Sequence, residues 1–139
     1  AWRLVIPGGS PWRKPWPFLI EWETPDDERI KWDAPGVHSN GASGVAGIEL
    51  IVDDLAAAKQ LYESAFGLQS SRSEKNGVDY EIGAFTLHVR SPENATQERE
   101  MSTHGPGPFR LLLRHAGEQA LDLDNEQALG ARIKMIPGG

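Results

Sequence analysis

The segment 45–67 constrains the fold of this chain more than any other part of its sequence. Over residues 45–52, apolar side chains alternate with small or polar ones, and this period of two predicts a half-buried β-strand. Two aspartates follow, and the carboxylate of either can cap a helix by accepting a backbone N–H. Residues 54–66 then carry one apolar stripe at helical spacing, and Gly67 supplies the left-handed residue that ends a helix. The segment therefore predicts a strand, a turn and a helix that bury one face.

The same segment resembles the opening of a module of the vicinal-oxygen-chelate superfamily, which includes glyoxalases, bleomycin-resistance proteins and dihydroxybiphenyl dioxygenases. The family pattern is a strand that ends in an Asp-Leu turn, a helix that carries an aromatic residue, and a Gly-Leu pair. The matching residues are Asp54, Leu55, Tyr62, Gly67 and Leu68. A βα unit with an acidic cap in an unrelated fold is the alternative. The resemblance implies an α+β fold in which paired βαβββ modules place concave mixed sheets around a cup.

A single domain is expected, because 139 residues are enough for one hydrophobic core. Residues 45–91 are predicted to form a complete βαβββ module, in which Asn76-Gly77 is a hairpin turn. Three further segments are assigned: a hairpin at 1–23, a linker at 24–44 and a βαβ half-module at 108–137. The predicted strands are 45–52, 69–73, 78–82, 85–90, 109–115 and 132–136. The predicted helices are 54–66 and 118–129, and residues 91–108 are predicted to be a loop.

The two ends of the chain are predicted to complete one second module. The hairpin at 1–23 supplies two strands without a helix, whereas residues 108–137 supply a helix and only two strands. An unpaired strand edge with an apolar face is prone to aggregation, so we expect it to be covered. The hairpin can complete the half-module within one chain, as a permuted two-module domain, or by strand exchange in a homodimer. The segment WRLVIP…PFLIEWE is also similar to the end of a central module in one glyoxalase-like family, which supports this assignment.

Composition excludes several classes of function. A net charge of −6 argues against nucleic-acid binding, which requires a basic surface. The absence of cysteine excludes disulfides, thiolate metal sites and cysteine nucleophiles. No apolar run is long enough to span a bilayer, and no charged-then-apolar leader is recognisable. We therefore expect a cytoplasmic protein that does not bind membranes.

The resemblance implies that a divalent metal ion can lie in the cup, with ligands from the first and fourth strands of each module. Gly47 falls at the first-strand ligand position, and glycine has no side chain with which to coordinate a metal. Alignment of FLIEW with FTLHV places Glu21 and His88 at the fourth-strand positions, and carboxylate and imidazole are suitable ligands. Glu49 lies one pleat beyond Gly47 on the same face and could replace the missing ligand. Glu21, His88 and Glu49 are thus the candidate metal ligands, and no catalytic residue is assigned.

Each candidate ligand also has a purely structural interpretation. His88 can be a hydrogen-bonded histidine of the sheet, and Glu21 can pair with Arg3 or Arg110. Glu49 on an inward face would need a cation, a protein partner or water, because burying an unpaired carboxylate is costly. The candidate lining of the ligand cup is Ile51, Thr86 and Arg110.

Three functions remain open on this basis. Binding of a small molecule in the cup, without the full family metal site, is favoured because Gly47 cannot act as a ligand. A metal-dependent lyase, isomerase or dioxygenase is the second, with the metal acting as a Lewis acid. An interaction module whose cup is filled by the protein's own tryptophans is the third. The expected partners are a small-molecule ligand and a second copy of the chain.

Overall fold

The computed structural model describes residues 1–6, 14–31 and 38–138. Its strands are β1 (Trp2–Val5), β2 (Leu19–Trp22), β3 (Ala42–Ile51), β4 (Ser70–Glu74), β5 (Gly77–Ile82), β6 (Phe85–Arg90), β7 (Gly107–His115), β8 (Leu121–Asp122) and β9 (Ile133–Pro137). Its helices are α1 (Asp26–Arg29), α2 (Leu55–Gln60), which continues into a π-helical turn (Leu61–Ala65), and α3 (Ala95–His104). Among these described helices, none has the length and apolar character that crossing a membrane requires.

Seven strands form one mixed sheet in the order β4-β5-β6-β3-β7-β9-β8. The central strand β3 runs parallel to β6 and antiparallel to β7, and β9 runs parallel to β7. Strands β4, β5 and β6 are joined as antiparallel neighbours. A mixed sheet with few helices confirms the α+β fold class. The four strands and the helix predicted between residues 45 and 91 all form.

The core lies between α2 and one face of β3, β5 and β6, as the alternation in β3 predicts. Leu50 and Val52 point to this face and are buried, and Ile48 packs against the same cluster. Tyr62 from the π-helical turn contacts Tyr80 of β5, with ring centroids 5.5 Å apart. The Asp54 side chain accepts the Ala57 backbone N–H at 2.9 Å, so it is the predicted cap of α2.

The helix predicted at 118–129 does not form. Leu121–Asp122 instead pairs with β9, and turns occupy most of the segment that follows. The Asp124 carboxylate caps one turn by accepting the backbone N–H groups of Glu126 at 2.7 Å and Gln127 at 3.3 Å. Leu129 and Gly130 then have positive φ angles, so the helix does not continue. Leu129, which the helical pattern assigned to the buried stripe, is 96% exposed. A short helix is stable only when one of its faces is packed.

The loop predicted at 91–108 contains the ten-residue helix α3 instead. Asn94 caps this helix by accepting the backbone N–H groups of Thr96 at 3.1 Å and Gln97 at 3.0 Å. The Gln97 side chain in turn accepts the backbone N–H of Glu93 at 2.8 Å. This reciprocal arrangement is a capping box, and it starts a helix without an apolar stripe.

The N-terminal hairpin forms a separate two-stranded sheet from β1 and β2, so its predicted completion of the second module within one chain is wrong. The physical reason is that β9 already pairs with β7 along the edge that the hairpin would need. Completion by strand exchange between two copies stays a prediction. The predicted linker at 24–44 contains α1 and the first residues of β3. The hairpin connection at 7–13 and residues 32–37 lie outside the described residues.

Candidate functional site

The sheet face opposite α2, here called the cup face, carries a row of charged and polar side chains from five neighbouring strands. Strand register places Arg72 beside Asp79, Asp79 beside His88, His88 beside Glu49, and Glu49 beside Arg110. Acidic residues thus alternate with basic residues and histidine, and such cross-strand pairs stabilise a sheet. These five residues are called the ionic row below.

Asp79 holds the ring of His88 in one orientation. The Nδ1 atom of His88 lies 2.9 Å from the Asp79 carboxylate, which also accepts a hydrogen bond from Arg90. Because a carboxylate accepts hydrogen bonds, Nδ1 is the donor in this contact, and in the neutral imidazole the Nε2 atom is then the acceptor. Arg90 is fixed by two further bonds, to the carbonyls of Val78 and Val89 at 3.0 Å each. His88 is therefore an oriented hydrogen-bond acceptor on the cup face.

Gly47 brings β3 close to the edge of the His88 ring. A Cβ atom at position 47 would lie 2.3 Å from the Thr86 carbonyl oxygen and 3.5 Å from His88 Nε2. The position at which the family places its first-strand ligand therefore has no room for any side chain. The Nε2 atom of His88 would be in ordinary van der Waals contact with that Cβ, and the clash is with the backbone of Thr86.

Glu49 has protein partners on both of its carboxylate oxygens. The Gln97 side chain donates to one oxygen at 2.7 Å, and Arg110 lies 3.7 Å from the other. Gln97 is buried, so α3 rests on this end of the cup face. The protein itself supplies the partner that the burial of Glu49 demands.

Glu21 is not brought to the cup face. It lies in β2 of the separate hairpin, its side chain is 72% exposed, and it pairs with Arg3 at 3.6 Å. Register places His88 and Glu49 side by side, but the third candidate ligand is in another sheet. Within the described parts of the chain, no three His, Asp or Glu side chains are grouped so that they could hold a metal ion. The described residues of a single chain do not fit the divalent metal that the family implies.

The three residues predicted to line the ligand cup differ in their access to solvent. Thr86 is half-buried beside Gly47, and Arg110 is half-buried at the end of the ionic row. Ile51 is only 1% exposed, so it supports the cup rather than lining it.

A cleft of about 250 Å³ opens beside Arg110. The ring of Phe109 lies 5.5 Å from the Arg110 guanidinium and 4.7 Å from that of Arg132, both within cation–π range. Arg132 also donates to Glu100 at 2.9 Å. The cleft thus combines the Phe109 ring with two guanidinium groups, of which Arg132 is paired closely with Glu100 and Arg110 loosely with Glu49.

The described tryptophans do not fill the cup. Trp2 and Trp22 contact each other in the hairpin, with ring centroids 6.5 Å apart. Trp16 lines a cavity on the α2 side of the sheet. Trp12 and Trp32 lie outside the described residues.

Asp79, Arg90 and Gln97 are site residues that the sequence interpretation missed. Asp79 and Arg90 could have been found, because each occupies the same strand face as His88 once the strands are paired. Gln97 could have been found only from the Asn94-x-x-Gln97 capping pattern.

Comparisons with known proteins agree on the type of fold. Residues 1–66 match the family model described as a glyoxalase-like domain. The structure resembles methylmalonyl-CoA epimerase from Mycobacterium tuberculosis, with a TM-score of 0.62 at 14% identity over 75% of this chain and 94% of that chain. A methylmalonyl-CoA epimerase from Streptomyces coelicolor gives a TM-score of 0.60 at 14% identity, over 70% and 99%.

A hypothetical protein from Staphylococcus aureus gives a TM-score of 0.66 at 12% identity, over 99% of this chain and 50% of that chain. This chain therefore spans half the length of that protein. No curated protein sequence matches the chain. At identities of 12–14%, the structural likenesses establish the fold and not the activity.

Proposed function

We propose that this chain, whose residues 1–66 match a glyoxalase-like domain, is a member of the vicinal-oxygen-chelate superfamily that binds a small organic molecule on its cup face without a bound metal ion. The observation that carries the proposal is how the ionic row is satisfied. Protein side chains already occupy the Glu49 carboxylate, whereas the hydrogen bonds of His88 to described residues all involve Nδ1, which leaves Nε2 to a ligand. A metal ion would have to displace Gln97 or Arg110 to reach Glu49.

The protein side chains around the ionic row determine which functional groups the ligand should have. His88 Nε2 accepts a hydrogen bond, so the ligand presents an O–H or N–H donor there. The Arg110 guanidinium is 3.7 Å from Glu49, a separation that leaves its donors available to a second anion. The Phe109 ring and the adjoining cleft accept an apolar or planar body. The favoured ligand is thus a small organic anion with one hydrogen-bond donor.

A metal-dependent lyase, isomerase or dioxygenase is the alternative function. It would require Glu21 to join His88 and Glu49, although the hairpin that carries Glu21 forms its own sheet. A second copy of the chain could bring its own hairpin to this face, which is the form of homodimer that strand exchange would produce. Metal binding by this route would therefore depend on dimerisation.

The test combines metal analysis with ligand-induced thermal shifts on the full chain. Metal content is measured after purification and after incubation with Mn²⁺ or Zn²⁺, and oligomeric state is measured by light scattering. A panel of small carboxylic acids with hydroxyl or amino groups is then screened by the change in melting temperature. The variants are His88→Gln and Arg110→Gln, and the control is His38→Gln, an exposed histidine outside the row.

We expect no stoichiometric metal, and panel members that raise the melting temperature of the wild type and the His38→Gln control. The His88→Gln variant, which lacks the imidazole acceptor, should bind about two- to tenfold more weakly, since one hydrogen bond contributes about 0.5–1.5 kcal/mol. The comparison uses the ligand-induced shift rather than the melting temperature itself, because the substitutions also change stability. Stoichiometric metal that disappears in His88→Gln would establish the metal-dependent alternative. If no panel member changes the melting temperature, the remaining hypothesis is that the chain is an interaction module.

A further inference from the structure

A cavity of about 390 Å³ lies on the opposite side of the main sheet, away from the cup face. Residues of β3, β6 and the π-helical turn form its floor and one wall, and the segment 14–19 forms the other. The side chains that define it are Trp16, Leu50, Tyr62, Phe66, Phe85 and Leu87. No residue of the ionic row lines it, although Ile48 and Pro108 line both this cavity and the cleft beside Arg110.

Apart from Lys14, Trp16 and Tyr62, the described side chains that line this cavity are purely hydrocarbon. Tyr62 offers no free donor, because its hydroxyl donates to the Pro15 carbonyl. Burial also raises the pKa of the Tyr62 phenol above its ordinary value of 10.0, so the ring stays neutral. A ligand group inside the cavity therefore has to be apolar, because a polar group would lose its hydrogen bonds to water without replacement.

One charged residue, Lys14, is among the described lining residues, and none of them is acidic. Its ammonium nitrogen lies 5.6 Å from the centre of the Trp16 ring. The long stem of lysine commonly covers apolar surface while its head stays in water. Lys14 thus places a single positive charge beside an apolar chamber.

We propose that this cavity binds an unbranched aliphatic chain with one anionic head group, such as a fatty carboxylate. The tail occupies the apolar chamber and the head contacts Lys14. The volume lies at the lower end of the range of ligand pockets, about 300–1,000 Å³, which favours one short chain over a sterol or a two-chain lipid. Burial of each added methylene should tighten binding about fourfold until the chamber is full.

The first test measures calorimetric affinities of the full chain for the carboxylates from hexanoate to dodecanoate, below their micelle concentrations. Decanol, which has the same chain as decanoate but no charge, is measured alongside it to separate the contributions of tail and head group to the affinity. Lys14→Gln should weaken decanoate up to about fivefold, the size of an exposed ion pair, and leave decanol unchanged. Lys75→Gln makes the same charge change on an exposed residue outside the lining and should affect neither ligand.

The second test locates the tail. Ile82 is 46% exposed and lines the cavity, whereas Leu121 is 45% exposed and does not. Ile82→Trp should abolish binding of both decanoate and decanol, and Leu121→Trp should leave both intact. His88→Gln should also leave both intact, which separates this site from the cup.

Three results would overturn the proposal. Affinity that does not grow with chain length would show that no apolar chamber receives the tail. Unchanged binding in Ile82→Trp would place the tail elsewhere on the protein. An equal effect of Lys14→Gln on decanoate and decanol would show that the head group does not meet Lys14.

Discussion

Replacing Gly47 by alanine tests the close approach of β3 and β6 on which the cup face depends. The added Cβ would lie 2.3 Å from the Thr86 carbonyl oxygen, and a backbone atom cannot rotate away as a side chain could. The two strands must therefore separate at the centre of the sheet. Overpacking of this kind costs about 1–3 kcal/mol of the free energy of unfolding.

Gly44→Ala is the matched control, because Gly44 lies in the same strand and a Cβ there would meet nothing within 4 Å. In both variants, replacing a strand glycine by alanine should raise the free energy of unfolding by the same amount, about 0.5–1 kcal/mol. The difference between the two variants therefore isolates the clash. We expect Gly47→Ala to unfold at a lower urea concentration than Gly44→Ala, with the same m-value. Equal midpoints for the two variants would refute the inference that position 47 excludes every side chain.

Two further predictions concern buried and capping side chains. The chain has two tyrosines, both buried, and burial together with Glu63 raises the pKa of Tyr80 to about 12. Between pH 10 and pH 12 the unfolded chain ionises while the folded one does not, so stability should fall by about 1.4 kcal/mol per pH unit for each tyrosine. Phenolate absorbance should therefore rise only when the protein unfolds. The Tyr80→Phe variant should lose stability less steeply with pH than the wild type. Phenolate absorbance from the folded protein at pH 10 would contradict the prediction. Asn94→Ala should lower stability by about 1 kcal/mol in urea unfolding, because it removes the cap of α3, whereas Asn125→Ala at an exposed turn should not.

The first module could be predicted because its own residues decide its structure. The alternation in β3 and the apolar stripe of α2 face each other, so each pattern is satisfied by the other. The Asn76-Gly77 pair located the hairpin between β4 and β5, but the turn residues are Lys75 and Asn76. Gly77 belongs to β5 instead, where a Cβ would lie 2.5 Å from the Arg90 side chain. Position 77 therefore needs glycine because the Arg90 side chain packs against it, and not because of the turn.

The helices were mispredicted where pattern and packing disagree. Leu121, Leu123 and Leu129 give residues 118–129 a helical stripe, yet no described layer covers that stripe and Leu129 is exposed. The polar helix α3 has no stripe, and its capping box and the contact of Gln97 with Glu49 hold it in place. Periodicity reports which face is apolar and not whether a partner exists to bury it.

Part of the arrangement of the candidate residues could be predicted, because strand alternation determines which residues share a face. His88 and Glu49 were predicted as metal ligands and Arg110 as cup lining; the three lie in one row, and their roles stay predictions. The role of Asp79 depends on how β5 pairs with β6, and the position of Glu21 depends on which sheet contains the hairpin. Both are long-range pairings, and no local pattern in a single sequence specifies them.

The competition for the edge of β7 follows from burial. Strand β9 brings Met135, which is 1% exposed, into the sheet through five register pairs with β7. The hairpin is left as a two-stranded sheet with Trp2 and Val5 more than half exposed, and such a sheet is marginally stable on its own. A homodimer would therefore cover this hairpin or extend the sheet at β4 or β8, since pairing at β7 would first have to expel β9.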